Sequence, residues 1–164
     1  MQRRELFSFL SSSFKSEERK IKEQILRPPY YSDINAFVTE CQKCDGKCAT
    51  LCQEQIIIIG EDKTPRLDFS KGGCTYCDKC AEACEFGVLS KENKKVINAT
   101  ISINKSKCLS WNGTMCFACK DPCLDNAIDF KAMFMPEIDS SKCTACGFCI
   151  NRCPTSAIEI KVIK

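Results

Sequence analysis

The chain has 164 residues, of which 16 are Cys and none is His, and it carries a formal net charge of +3. Its length allows one ordinary domain or two very small ones. Without histidine the mixed cysteine–histidine zinc sites are excluded, and ligation by thiolates alone remains.

The amino terminus, MQRRELFSFLSSSFKSEERK, has a basic pair at Arg3 and Arg4, but serines dilute its apolar patch and charged residues end it. It does not read as a cleaved secretory signal, so no export by that route is implied. The longest unbroken aliphatic run, Ile56 to Ile59, is far short of the roughly 18 residues that a spanning helix needs. No transmembrane segment is expected, and in a reducing compartment the thiols favour a metal role over disulfides. The run Lys15 to Leu26 reads as a charged helix that Arg27-Pro28-Pro29 stops.

Four cysteine groups follow: Cys41, Cys44, Cys48, Cys52; Cys74, Cys77, Cys80, Cys84; Cys108, Cys116, Cys119, Cys123; and Cys143, Cys146, Cys149, Cys153. Each ends in C-x3-C and leads into an aliphatic stretch: QEQIIII, EFGVL, LDNAIDF and PTSAIEI. The repeating unit is a cysteine loop, about one helical turn, then a strand. Turn signals at 60–65 and 91–95 separate these from further strand-like runs at Arg66–Phe69 and Ala99–Ile103.

These spacings point to [4Fe–4S] cubes, because C-x2-C-x2-C lets one short loop reach three iron corners. The following C-x3-C step carries the fourth thiolate to a neighbouring cube, which interlocks two motifs. Groups two and four fit in full, and group four has the trailing Pro154. Group one has an extra residue, with Asp45-Gly46-Lys47 between Cys44 and Cys48, where Gly46 can absorb the bulge through a positive φ. Group three stretches its first step to seven residues through the SWNGT loop. Zinc is the main rival, but four-cysteine zinc sites come as two separated knuckles rather than as crowded quartets. Disulfides rank lower, since C-x2-C neighbours bridge poorly.

Adjacent pairing of groups would put Cys41, Cys44, Cys48 and Cys84 on one cluster, and Cys74, Cys77, Cys80 and Cys52 on the next. In the second half, Cys108, Cys116, Cys119 and Cys153 would share a third, and Cys143, Cys146, Cys149 and Cys123 a fourth. A nested alternative joins group one to four and group two to three, and spacing leaves both open. The expected fold class is α+β: two tandem bacterial 2[4Fe–4S] ferredoxin-like units of short helices and β-hairpins (36–104 and 105–164), after an N-terminal extension (1–35).

Three features together, RPPYYSDINAF before the first group, four cubane motifs and above all C-x7-C-x2-C-x3-C in the third, resemble the NapF ferredoxin-type proteins of the periplasmic nitrate reductase system. The resemblance runs from about Arg27 to the end. It implies four [4Fe–4S] clusters, a cytoplasmic location, and association with the molybdenum-containing catalytic subunit, as a maturation accessory or electron donor. The extra residue in group one departs from the family pattern. Arg3-Arg4 resembles a twin-arginine start without the apolar core that such a signal needs.

No substrate site is legible, so an electron carrier with a redox partner protein is expected rather than an enzyme. Trp111 is expected to shield a cluster or pack its loop, and Tyr76, Phe117 and Phe148 to cover clusters. Four clusters with their thiolates would shift the +3 by about −8, to roughly −5, so the basic composition does not argue for nucleic acid. An electron-wiring subunit of another oxidoreductase is the rival reading.

Overall fold

A computed structural model describes residues 25–93 and 95–163, so Arg3-Arg4 and all but the end of the expected Lys15–Leu26 helix lie outside the described residues. Regular elements are short because each cysteine loop spends its residues curling around its own thiols. In chain order they are α1 (Ala36–Thr39), a 3-10 turn (Cys41–Lys43), α2 (Lys47–Thr50), β1 (Ile57–Ile59), β2 (Pro65–Leu67) and α3 (Lys79–Glu82). Then come β3 (Ala99–Ile103), β4 (Ile128–Lys131), β5 (Met135–Ile138), α4 (Phe148–Arg152) and β6 (Ile158–Val162). The class is α+β, as expected.

Strands pair antiparallel in twos among the described residues. β1 and β2 form a hairpin with Ile57 opposite Leu67, and β4 and β5 another with Ile128 opposite Ile138. β3 pairs with the distant β6, Ala99 opposite Val162 and Ile103 opposite Ile158. Its alternation explains this: Ala99 and Ile101 turn inward while Thr100 and Ser102 face out. In the first half the matching closure among the described residues is a single bridge, Tyr31 to Leu89, beside a Ser90 N–H bond to the Tyr30 carbonyl (2.9 Å).

The repeat is visible in the backbone. After each group's last cysteine, that cysteine's carbonyl accepts the N–H three residues on, from Gln55, Gly87, Asn126 and Ser156. All four donors have positive φ (53°, 67°, 47° and 50°), the left-handed stop that ends a helical turn and releases the chain into a strand.

Residues 26–31, counted with the leading extension in the sequence, lie in the body of the fold. Leu67 N–H bonds the Leu26 carbonyl at 2.8 Å, and Pro28, Pro29 and Tyr30 are buried. Arg27, 7 % exposed, donates to Thr64 Oγ1 (2.5 Å) and the Pro65 carbonyl (2.8 Å) and sits over the Phe37 ring. The prolines there belong to an extended segment laid against β2. The core has little aliphatic mass: Phe37, Ile56, Leu89, Ile97, Ile128 and Ile158 are distributed around buried thiols.

Candidate metal centres

Group one shows how the local sequence builds a thiol cradle. Cys41 starts the 3-10 turn, Cys44 is extended, and Gly46 at φ +73° starts α2, which carries Cys48. Gly46 takes the left-handed position that Asp78 (φ 64°) holds before α3 and Gly147 (φ 86°) before α4. The extra Asp45 is therefore inserted ahead of an unchanged corner. A glycine is required there, since a Cβ would stand 2.9 Å from Ile59.

Four cavities result. One is lined by Cys41, Cys44, Cys48 and Cys84. A second is lined by Cys52, Cys74, Cys77 and Cys80. In the second half, a third is lined by Cys108, Cys116, Cys119 and Cys153, and a fourth by Cys123, Cys143, Cys146 and Cys149. Three thiols come from one motif and the fourth from its neighbour. The fold thus brings together the adjacent groupings and not the nested ones.

Aliphatic residues fill much of the remaining wall, Ile59, Pro65, Val88 and Leu89 in the first and Ile101, Ile128 and Ile138 in the fourth, with polar residues such as Lys63 and Asp125 among them. Burial, reinforced by neighbouring thiols, pushes Cys80 and Cys149 up to about 12 and Cys48 up to about 11. Burial likewise lifts Cys74 and Cys119 to about 11. Four thiolates in such a cavity need a cation to exist at neutral pH. Cys153 goes the other way: burial raises it, but N–H groups of Ala157, Thr155 and Ile158 and the Thr155 hydroxyl together bring it below the ordinary thiol value.

Backbone N–H groups point at sulfur, as a thiolate would require: Gly46 to Cys44 (3.4 Å), Tyr76 to Cys74 (3.4 Å) and Leu89 to Cys84 (3.3 Å). Ala127 does so to Cys123 (3.3 Å) and Ala157 to Cys153 (3.1 Å). None of the sixteen cysteines is joined to another in a disulfide. Among the described residues no three Cys, His, Asp or Glu converge on a point suited to a single ion. Quartets spread around a cavity fit a polynuclear cube, whose corners are separate irons.

The long loop of group three is held by its own polar residues. Asn112 Nδ2 donates to the carbonyls of Lys105, Ser106 and Cys108 (3.1, 3.3 and 2.7 Å), and Gly113 turns the chain at φ +82°. Trp111 Nε1 bonds the Pro136 carbonyl at 3.1 Å while Lys105 lies over its ring, so this residue packs the loop onto β5. Of the expected cover residues, Tyr76 lines the second cavity. Phe117 stacks on Phe130 at 4.7 Å, and Phe148 packs against Gly73.

Sequence reasoning missed Tyr30 and Asp125. Tyr30 lines the second cavity and donates to Asp78 Oδ1 at 2.5 Å. Asp125, held by the Thr144 hydroxyl at 2.6 Å, lines the fourth cavity. Tyr30 has no local signal, because it reaches the site from a segment distant in sequence, while Asp125 follows Cys123 by two residues but is held by Thr144 of the next group. Among the described residues no helix is long and apolar enough to cross a membrane.

Comparison with known proteins adds the family. The 4Fe–4S binding domain matches residues 136–159. Ferredoxin-type protein NapF of Escherichia coli strain K12 is 31% identical, over 84% of this chain and 85% of that protein. NapF of Haemophilus influenzae is 30% identical, over 85% of this chain and 80% of that protein. The methylamine utilization ferredoxin-type protein MauM of Methylorubrum extorquens is 27% identical, over 96% of this chain and 79% of that protein. With this identity over most of its length and a 4Fe–4S binding domain around its last cysteine group, the chain belongs to the NapF family of ferredoxin-type proteins.

Proposed function

We propose that this protein is a one-electron carrier built as two tandem 2[4Fe–4S] units, with one cluster in each of its four cysteine cavities and all sixteen cysteines as ligands. The observation that carries this reading is the three-plus-one composition of every cavity. When bound, a cluster supplies an iron centre that gains or loses one electron without proton movement. The chain's own residues hold the thiolates in place, aim N–H groups at sulfur and exclude water with aliphatic walls.

The partner is the molybdenum-containing catalytic subunit of a nitrate reductase, which the protein supplies with electrons or assists in maturation, in the cytoplasm. Membership of the NapF family supports this choice. The second reading, electron wiring in another multi-subunit oxidoreductase, is supported by the likeness to a protein named for methylamine utilization. Four clusters would leave the loaded protein acidic at roughly −5, which suits a basic patch on a partner rather than nucleic acid.

Iron and sulfide analysis of anaerobically purified protein, with EPR after reduction, tests the cofactor: about sixteen irons per chain are expected. Zinc in place of iron would overturn the reading. Capture of the molybdenum subunit from a cell that contains it tests the partner, and its failure favours the second reading.

A further inference from the structure

The four cavities are not strung in the order of their motifs. The loop of group two meets the loop of group four: Cys74 N–H donates to the Cys146 carbonyl at 2.6 Å, and Tyr76 OH to the Thr144 carbonyl at 2.5 Å. Asn151 Nδ2 adds a bond to the Lys71 carbonyl at 2.9 Å. Two glycines permit this approach. A Cβ at Gly73 would stand 2.5 Å from the Phe148 backbone nitrogen, and one at Gly147 would stand 2.4 Å from the Phe69 ring.

Cys74 belongs to the second cavity and Cys146 to the fourth. One backbone hydrogen bond therefore joins their walls. Within each half the link is covalent and short. Cys80 and Cys84, a helical turn apart, line the second and first cavities, and Cys149 and Cys153 line the fourth and third.

We infer that electrons pass between the two halves through the contact of Cys74 and Tyr76 with Thr144 and Cys146, so that the relay runs first, second, fourth, third cavity. The inference rests on the four-cluster reading. One electron leaves a centre in one half and reduces a centre in the other; no bond breaks and no proton moves. Group one and the stretched group three are then the two ends, where outside partners exchange electrons, and Tyr76 and Thr144 are positioning residues for the crossing.

Two doubly substituted holo-proteins test the order. Cys44→Ala with Cys116→Ala leaves the second and fourth centres, and Cys44→Ala with Cys143→Ala leaves the second and third. Iron should fall to about half in each. The reduced EPR spectrum should show spin–spin broadening in the first variant and independent signals in the second; broadening confined to the second would overturn the order. Should either variant fail to load, Asn151→Ala in the full chain, which removes the bond to the Lys71 carbonyl across the same contact, serves instead. Unchanged iron, a weaker interaction between centres and roughly tenfold faster exchange of the Cys74 amide are expected. Unchanged exchange and interaction would overturn the bridge. An iron-free wild type would instead sink the cluster reading itself.

Discussion

The first and second halves carry the same cysteine scheme but close their outer edges differently. The second half closes with a five-residue ladder of β6 on β3, a strand that the sequence reading counts with the first unit. Among the described residues the first has one bridge, Tyr31 to Leu89, and docks its outer segment with polar side chains: Arg27 on Thr64 and Pro65, and Tyr30 on Asp78. The thiol cradle thus tolerates either closure, because its geometry is set by local turns. What varies is the type of interaction that an outer segment uses to stay docked.

Removing the metal should erase this difference. With little aliphatic core in either half, chelation of iron is expected to unfold both, read as loss of far-UV circular dichroism. A native-like spectrum in the iron-free chain would mean that the strands suffice.

Arg27→Ala should separate the halves. It deletes two buried hydrogen bonds from a charged donor and a ring contact, an expected cost of about 2–4 kcal/mol. Amides of the first half should lose protection while β3 and β6 keep theirs; a uniform loss would show one cooperative unit.

A smaller effect is expected in the second half from Asn112→Ala, which frees three carbonyls of the exposed loop. About 1 kcal/mol is the scale, visible as a lower denaturant midpoint with iron content retained.

Smallest is Tyr30→Phe. The Tyr30 hydroxyl, followed by Lys95, holds the Asp78 carboxyl below its ordinary value. A depressed carboxyl stabilises the fold above its unfolded pKa, and that contribution is lost as pH falls through the folded pKa. The variant should move the Asp78 titration upward in NMR and reduce the acid sensitivity of the first half. An unmoved titration would assign the depression to Lys95 alone.

Local chemistry was legible where it acts locally. The alternating 99–103 run is β3, the isoleucines after Cys52 form β1, and Gly46 has the expected positive φ, though as a corner shared with Asp78 and Gly147 rather than as an answer to the extra residue. The cover expected from Phe117 and Phe148 was not legible: both stand in cysteine loops, but the direction of each ring depends on Phe130 and Gly73. RPPYY read as a stop signal, yet its burial depends on β2 and α1, which sequence spacing does not place beside it.

By itself the sequence determined the four cysteine groups, the lack of histidine ligands and the positive φ at Gly46, since these follow from residue type and from short local spacings. Tertiary structure alone decided adjacent over nested grouping, the pairing of β3 with β6, and the meeting of Cys74 with Cys146. Those depend on which surfaces pack once the loops are formed. Near-equal gaps between motifs allow several closures, and contacts such as the glycine-permitted approach at Gly73 and Gly147 select one.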